Sequence, residues 1–200
     1  MEWGYNSNRG GAALRRMNQQ HGHFKITNED LLYVLSSFIY EPIRWNERFG
    51  WRMMCEQERL GLFYFWRQIG NRMGIRDIPG EYDRFERFNI KYEEAHFRYA
   101  DTNHRVGTAL FKMFSSWFPR PIRPLIQAGI CAIMDDPTIE GFGFKRPSTL
   151  TRVLVSGVLK LRVWTLRWWP KRTRPCLRTL GKHRSYPGGY TVEGLGPPGT

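Results

Sequence analysis

Cysteine is scarce in these two hundred residues: Cys55, Cys131 and Cys176 are widely spaced and odd in number. No CxxC or other metal-ligand spacing accompanies them, which excludes a disulfide scaffold and a zinc ribbon and points to a reducing, intracellular setting. The opening MEWGYNSNRGG lacks a basic-then-apolar pattern, so no signal peptide is read. The longest uncharged apolar run, Pro124–Met134, is too short to span a bilayer, and no transmembrane helix is expected. Strand-period alternation, internal repeats and a Gly-rich phosphate loop are missing too, since the GFG at 141–143 stands alone. Acids are nearly absent from one end. From Lys145 onward twelve Lys and Arg face one acid, Glu193, for a charge of +11, whereas residues 1–144 carry only +2. A neutral body with a basic extension calls for an anionic neighbour, either lipid headgroups or nucleic acid.

What is abundant is aromatic: 15% of the chain, with eight Trp, enough to argue against disorder despite 24% charged residues. The length suits one domain with a substantial core. Periodicity reads as six or seven helices and an all-α class. The first covers about 12–21 and ends at Gly22. Thr27, with Asp30 three residues on, caps the second, whose Leu31, Val34, Leu35, Phe38 and Ile39 share one face. Pro42 is expected to stop it, leaving 43–54 as an aromatic and basic connector. Further helices are expected over 55–73, 81–99, 102–117 and 123–134. The 102–117 helix is read with Val106, Leu110, Met113 and Trp117 inward. Asp135-Asp136-Pro137 reads as a break.

Ser148 opens a last long helix to about Trp169, with Leu150, Leu154, Gly157, Leu161, Trp164 and Trp168 in series and Val155, Leu159, Val163 and Leu166 on the other side. Two placements fit it. It packs inside the fold with its arginines snorkelling outward, or it lies at a membrane interface, where its Trp and the following KRTRP suit headgroups. Residues 170–200, rich in Pro, Gly and basic groups, read as an irregular tail.

Few residues stand out as chemical. His21 and His23 flank Gly22 at a helix end, where a protonated imidazole is stabilised and capping is the ordinary role. An i, i+2 pair could also chelate a metal, but no third ligand has a recognisable spacing. Glu58 falls on the apolar side of the 55–73 helix; a first-turn place at the stripe's edge would explain it. His96 lies in an aromatic face (Phe85, Phe88, Tyr92, Tyr99) and reads as a hydrogen-bonded core histidine. No Ser-His-Asp or Cys-His arrangement appears.

A resemblance sharpens this. RRMNQQH followed by ITNEDLLYVLSSF, then EPIRW, FGWR, FWRQIGNRMGI and DIP, resembles the ER-bound oxygenase MpaB and rubber oxygenase (latex-clearing protein) catalytic-domain family, from about Leu14 to Pro79. A looser likeness continues through YADTNHRVG and FPRPIRPL. The resemblance implies a globin-like helical core binding one haem b, and dioxygen-dependent cleavage of a C=C bond in a hydrophobic isoprenoid-like substrate. His21 would be the proximal iron ligand, and Arg44, Arg52 and Glu58 would serve salt-bridge or haem-propionate roles. It also implies an Arg- and Thr-bearing helix on the distal side, upstream of His21, which MEWGYNSNRGG does not supply. Residues 1–169 are therefore expected to form an oxygenase-like helical domain lacking an N-terminal part, with 170–200 as its tail. Peripheral membrane contact is expected through residues 148–184, with no specific nucleic-acid partner. The competing reading is a non-enzymatic helical binding module whose basic tail contacts membrane or nucleic acid, carried by charge alone.

Overall fold

The structure is a computed structural model that describes residues 2–170, 173, 176–181, 184, 186–192 and 194–195. Among the described residues it is all-α, with eight α-helices and no β-strand: α1 Asn8–Gly22, α2 Asn28–Phe49, α3 Glu56–Arg72, α4 Tyr82–His96, α5 Asp101–Ser116, α6 Arg123–Ile133, α7 Asp136–Phe142 and α8 Thr149–Trp168. Short 3-10 turns cover Arg120–Ile122 and Arg178–Leu180. The chain divides into two compact units. One comprises Met1–Ile43, Met54–Glu86 and Pro170–Thr200; the other comprises Arg44–Met53 and Arg87–Trp169.

In the first unit α2, α3 and the start of α4 enclose an aromatic core. Tyr40, Phe63, Ile69 and Phe85 are fully buried beside Leu35 and Ile39. Tyr40 meets Tyr82 and Phe85 edge-on at centroid distances of 5.2 and 6.0 Å. Its hydroxyl donates to the Tyr82 carbonyl at 2.8 Å, so the ring's polar end is satisfied as its body is buried. Gly70 lets α3 approach closely, because a Cβ there would collide with Leu35 Cδ2 and Ile78 Cδ1.

Pro42 does not stop α2, which continues for seven residues beyond it. The missing N–H and the ring clash cost about 3 kcal/mol. Ile39, Tyr40 and Ile43, buried on either side of it, each contribute about 1.5–3 kcal/mol. Burial outweighs the local penalty, and much of the expected connector is helix. The break expected at Asp135-Asp136-Pro137 is present, with Met134 and Asp135 extended, but a further helix, α7, starts within it, and Pro137 sits in its first turn, where a missing N–H costs nothing.

The second unit is organised on a smaller aromatic cluster. Phe111 stacks on Phe144 at 4.5 Å, and Phe142 lies 5.5 Å from Phe144. Gly107 on α5 sits against both Phe142 and Phe144, leaving no room for a Cβ. The His104 Nδ1–H donates to the Phe142 carbonyl at 2.8 Å, and Gly143, at φ +64, closes α7. α6 packs against both α5 and α8.

On α5 the expected face is reversed. Val106, Leu110, Met113 and Trp117 point outward, Val106 at 58% exposure, while Gly107 and Ser115 are the buried residues of α5. No residue of α8 is fully buried; the Leu150 to Trp168 series is exposed, and Val155, Leu159 and Val163 form the half-buried side. His96 is exposed rather than in a core, stacked on Tyr92 at 4.1 Å with its Nδ1–H donating to the Tyr92 carbonyl at 3.0 Å.

The described parts of the tail are tied down. Glu2 accepts from the Arg178 and Thr179 backbone N–H groups, both at 2.9 Å, and these bonds hold its carboxyl below the ordinary range. The Arg16 guanidinium donates to the Leu195 carbonyl at 2.7 Å. Lys171, Arg172, Arg174 and Lys182, which the sequence reading counts in the membrane-facing segment, lie outside the described residues.

Two outcomes follow. Phe85→Ala should cost about 3–5 kcal/mol in denaturant unfolding, since it empties a fully buried aromatic site. Asp136 at the start of α7 is ion-paired with Arg152 of α8, whose hydrogen bond lowers its pKa below 3.8. A depressed carboxyl pKa stabilises the fold above its unfolded value and ceases to do so as pH falls through the folded one. Asp136→Asn should therefore lower the Tm near neutrality, and the difference from the parent should shrink as pH falls below about 4 and be gone only once pH has passed the depressed folded value.

Candidate functional site

α1 begins where Ser7 Oγ accepts from the Gly10 N–H at 2.9 Å and ends with His23 as its C-cap. The next helix starts as the sequence indicates, with Thr27 Oγ1 accepting from the Asp30 N–H at 3.1 Å. Between these caps lies the His-containing turn. Two asparagines hold it to the end of α3. Asn18 donates to the Arg72 carbonyl at 3.1 Å. Asn28 makes a reciprocal pair with Arg76, donating to its carbonyl at 3.0 Å and accepting from its N–H at 2.9 Å. Amide side chains suit this, because each offers a donor and an acceptor to backbone groups that lie beyond a helix end.

His21 sits in the last turn of α1, one turn beyond Asn18, and is half-buried. Its Nδ1 is shielded from solvent and has no hydrogen-bond partner. Asn46 Oδ1, Arg59 Nε and Arg67 Nε share this condition, and leaving a buried polar group unpaired costs about 1–3 kcal/mol each. His23 is exposed, so the two imidazoles are not equivalent.

The other residues assigned by resemblance are engaged elsewhere. Glu58 occupies the first turn of α3, where its Oε2 accepts from the Cys55 N–H at 3.0 Å; the capping explanation accounts for this carboxylate. Arg44 Nη1 lies 3.8 Å from Glu93 Oε1. Arg52 is exposed, donates to the Met53 carbonyl at 3.0 Å and lies over the Trp51 ring. His21 and Glu58 belong to one compact unit, and Arg44 and Arg52 to the other. Haem b requires a single protein imidazole, and a shielded, unpartnered nitrogen fits that need. Nothing in the contacts of Arg44, Arg52 or Glu58 points to a propionate. Among the described residues no three His, Cys, Asp or Glu are grouped to hold a bare metal ion.

Three concavities stand out. One of about 370 Å³ is lined by Glu56, Arg59, Leu60, Glu81, Tyr82 and Asp83. A second, of about 520 Å³, has Phe111, Cys131 and Phe144 in its wall and Lys145 and Arg146 at its edge. The third, about 230 Å³, lies along α1 beside Arg15 and Arg16. None is lined by His21. Cys131 is buried, which raises its thiol pKa and makes it a poor nucleophile, while Cys55 and Cys176 are free and exposed.

With the His21 turn in view, comparison with known families is decisive. Residues 5–168 match the family model described as ER-bound oxygenase mpaB/B'/Rubber oxygenase, catalytic domain. The chain belongs to this family. Among relatives, ER-bound oxygenase mpaB' of Penicillium brevicompactum is 24% identical over 156 residues, covering 72% of this chain and 37% of that protein. ER-bound oxygenase mpaB of the same organism is 39% identical over 51 residues, 26% of this chain and 13% of that protein. Its namesake from Penicillium roqueforti is 37% identical over 51 residues, again 26% of this chain and 17% of that protein. The matched segments thus span about a third of the first relative's length and less of the others. No solved structure matches.

The family residues read from the motif are His21, Arg44, Arg52 and Glu58; the asparagine clamp around His21 was missed. The Asn in RRMNQQH and the Asn in ITNED were the available signal, since neither favours a helix interior or first turn without a backbone partner. Asn28→Ala should lower stability by about 1 kcal/mol. It should also speed hydrogen exchange at the Arg76 amide, read by NMR, while leaving the Asp30 amide capped by Thr27.

Proposed function

We propose that this chain carries part of a haem-b-dependent oxygenase that uses dioxygen to cleave a C=C bond in a hydrophobic, isoprenoid-like substrate. The observation that carries the reading is the family match over 5–168 taken with the shielded, unpartnered Nδ1 of His21. Haem, when bound, supplies the iron chemistry that activates dioxygen. The chain would contribute the imidazole of His21 to hold the iron, on a helix that Asn18 ties to the Arg72 carbonyl. A coordinating imidazole must be neutral, so binding should weaken as the ring protonates.

Peripheral membrane contact through residues 148–184 belongs to the same proposal. Its supports are the +11 charge of the C-terminal quarter and the relatives' names, which describe those proteins as ER-bound. Among the described residues no helix is long and apolar enough to cross a membrane.

Haemin titrated into the purified chain should give a sharp Soret band that His21→Ala abolishes or shifts and His23→Ala leaves in place. Identical spectra for the parent and His21→Ala would remove the ligand assignment. Salt-sensitive binding to arbitrary DNA with no haem spectrum would favour the binding-module reading instead.

A further inference from the structure

The exposed side of α8 is built for a lipid surface. On a 3.6-residue repeat, Leu150, Leu154, Val158, Leu161, Trp164 and Trp168 fall, together with Val153, in one arc about 140° wide. The only other residues in that arc are Gly157 and Thr165, so it holds no charge. It runs the full length of a helix of about 30 Å, and its side chains stand in solvent, Leu150 at 68% and Trp168 at 78% exposure. An uncharged apolar strip of this size on a soluble surface marks an interaction site. The opposite side, with Val155, Leu159 and Val163, is the one that packs, and α6 lies against the helix.

The charges around the strip choose its partner. Lys160 and Arg167 lie along one margin and Arg162 along the other, and all three are exposed. The remaining cation of the helix, Arg152, points to the packed side and is neutralised by Asp136. No Asp or Glu occurs between residues 141 and 192. An apolar face bordered by cations, with Trp at its C-terminal end, matches the layering of an anionic bilayer surface: acyl chains beneath the strip, indoles at headgroup depth and cations among the phosphates. A second copy of the chain would bring the same cations together with no acid to receive them.

We propose that α8 lies flat in an anionic lipid interface, buried through the Leu150–Trp168 strip, with Lys160, Arg162 and Arg167 on the headgroups. This rests on the membrane contact proposed above through residues 148–184 and assigns its apolar part to one face of α8. The test uses the full chain in co-sedimentation with vesicles of phosphatidylcholine, with and without phosphatidylserine. Leu154→Asp/Leu161→Asp should leave the Tm unchanged, as both side chains are exposed, and should reduce partitioning at least tenfold on phosphatidylserine vesicles. Lys160→Ala/Arg162→Ala should lower it about fivefold per cation on those vesicles and little on phosphatidylcholine alone. Undiminished binding by the Leu154→Asp/Leu161→Asp variant, abolished by salt, would overturn the α8 assignment and leave membrane contact to the tail. Failure of the parent chain to bind either vesicle would overturn both. A dimer in sedimentation velocity that this variant dissolves, without vesicle binding, would assign the strip to self-association and overturn the lipid proposal. The assay needs no haem, so its outcome is independent of the His21 titration.

Discussion

The end of α3 leaves backbone groups at Arg72 and Arg76 that no helix can satisfy, and the placement of His21 depends on how they are met. Asn18 and Asn28 meet them from two neighbouring helices. These bonds lie at the surface, where water could also serve the same groups, so each contributes only about 0.5–1.5 kcal/mol and its part is to fix position. The turn carrying residues 21–27 is held at both ends, and the one imidazole within it that is shielded keeps a ring nitrogen without a partner. The same unit holds the packed core: Leu35 against Gly70, and Tyr40 against Tyr82 and Phe85.

The two halves of the chemistry therefore have different physical standing. His21 has a position and an unmet bonding need that coordination would satisfy. Glu58, Arg44 and Arg52 have partners within their own surroundings: an α3 amide, Glu93 and the Met53 carbonyl. Motif matching treats all four alike, because it counts residue types in order. Geometry separates His21, with its unpartnered ring nitrogen, from Arg52 and Glu58, whose polar groups meet the Met53 carbonyl and the Cys55 N–H.

Much of the helical framework was legible in the sequence, because caps and breakers are local. Thr27 and Ser148 both begin helices through the bonds their positions suggest, and Gly74 closes α3 at a positive φ. Legibility failed where a local rule met tertiary packing. Pro42 is a stop signal only when its neighbours have nothing to bury, and Ile39, Tyr40 and Ile43 do. It failed again in choosing which side of α5 faces inward. Periodicity ranks faces by the size of their apolar residues, yet α5 packs through Gly107 and Ser115, where lack of bulk permits approach. The larger strip was then left outside. The asparagine clamp was invisible because its partners are backbone atoms some fifty residues away, to which residue type gives no clue.

The seat of Phe142 and Phe144 against Gly107 has an evolutionary corollary. A methyl group at that position can be accommodated only if one of the two rings shrinks or turns aside, and turning Phe144 aside would break its stack on Phe111. The three sites therefore share one volume. Among relatives that retain α5 and α7, drift at any one of them is expected to be answered at the others, so that substitutions here arrive in compensating sets rather than singly.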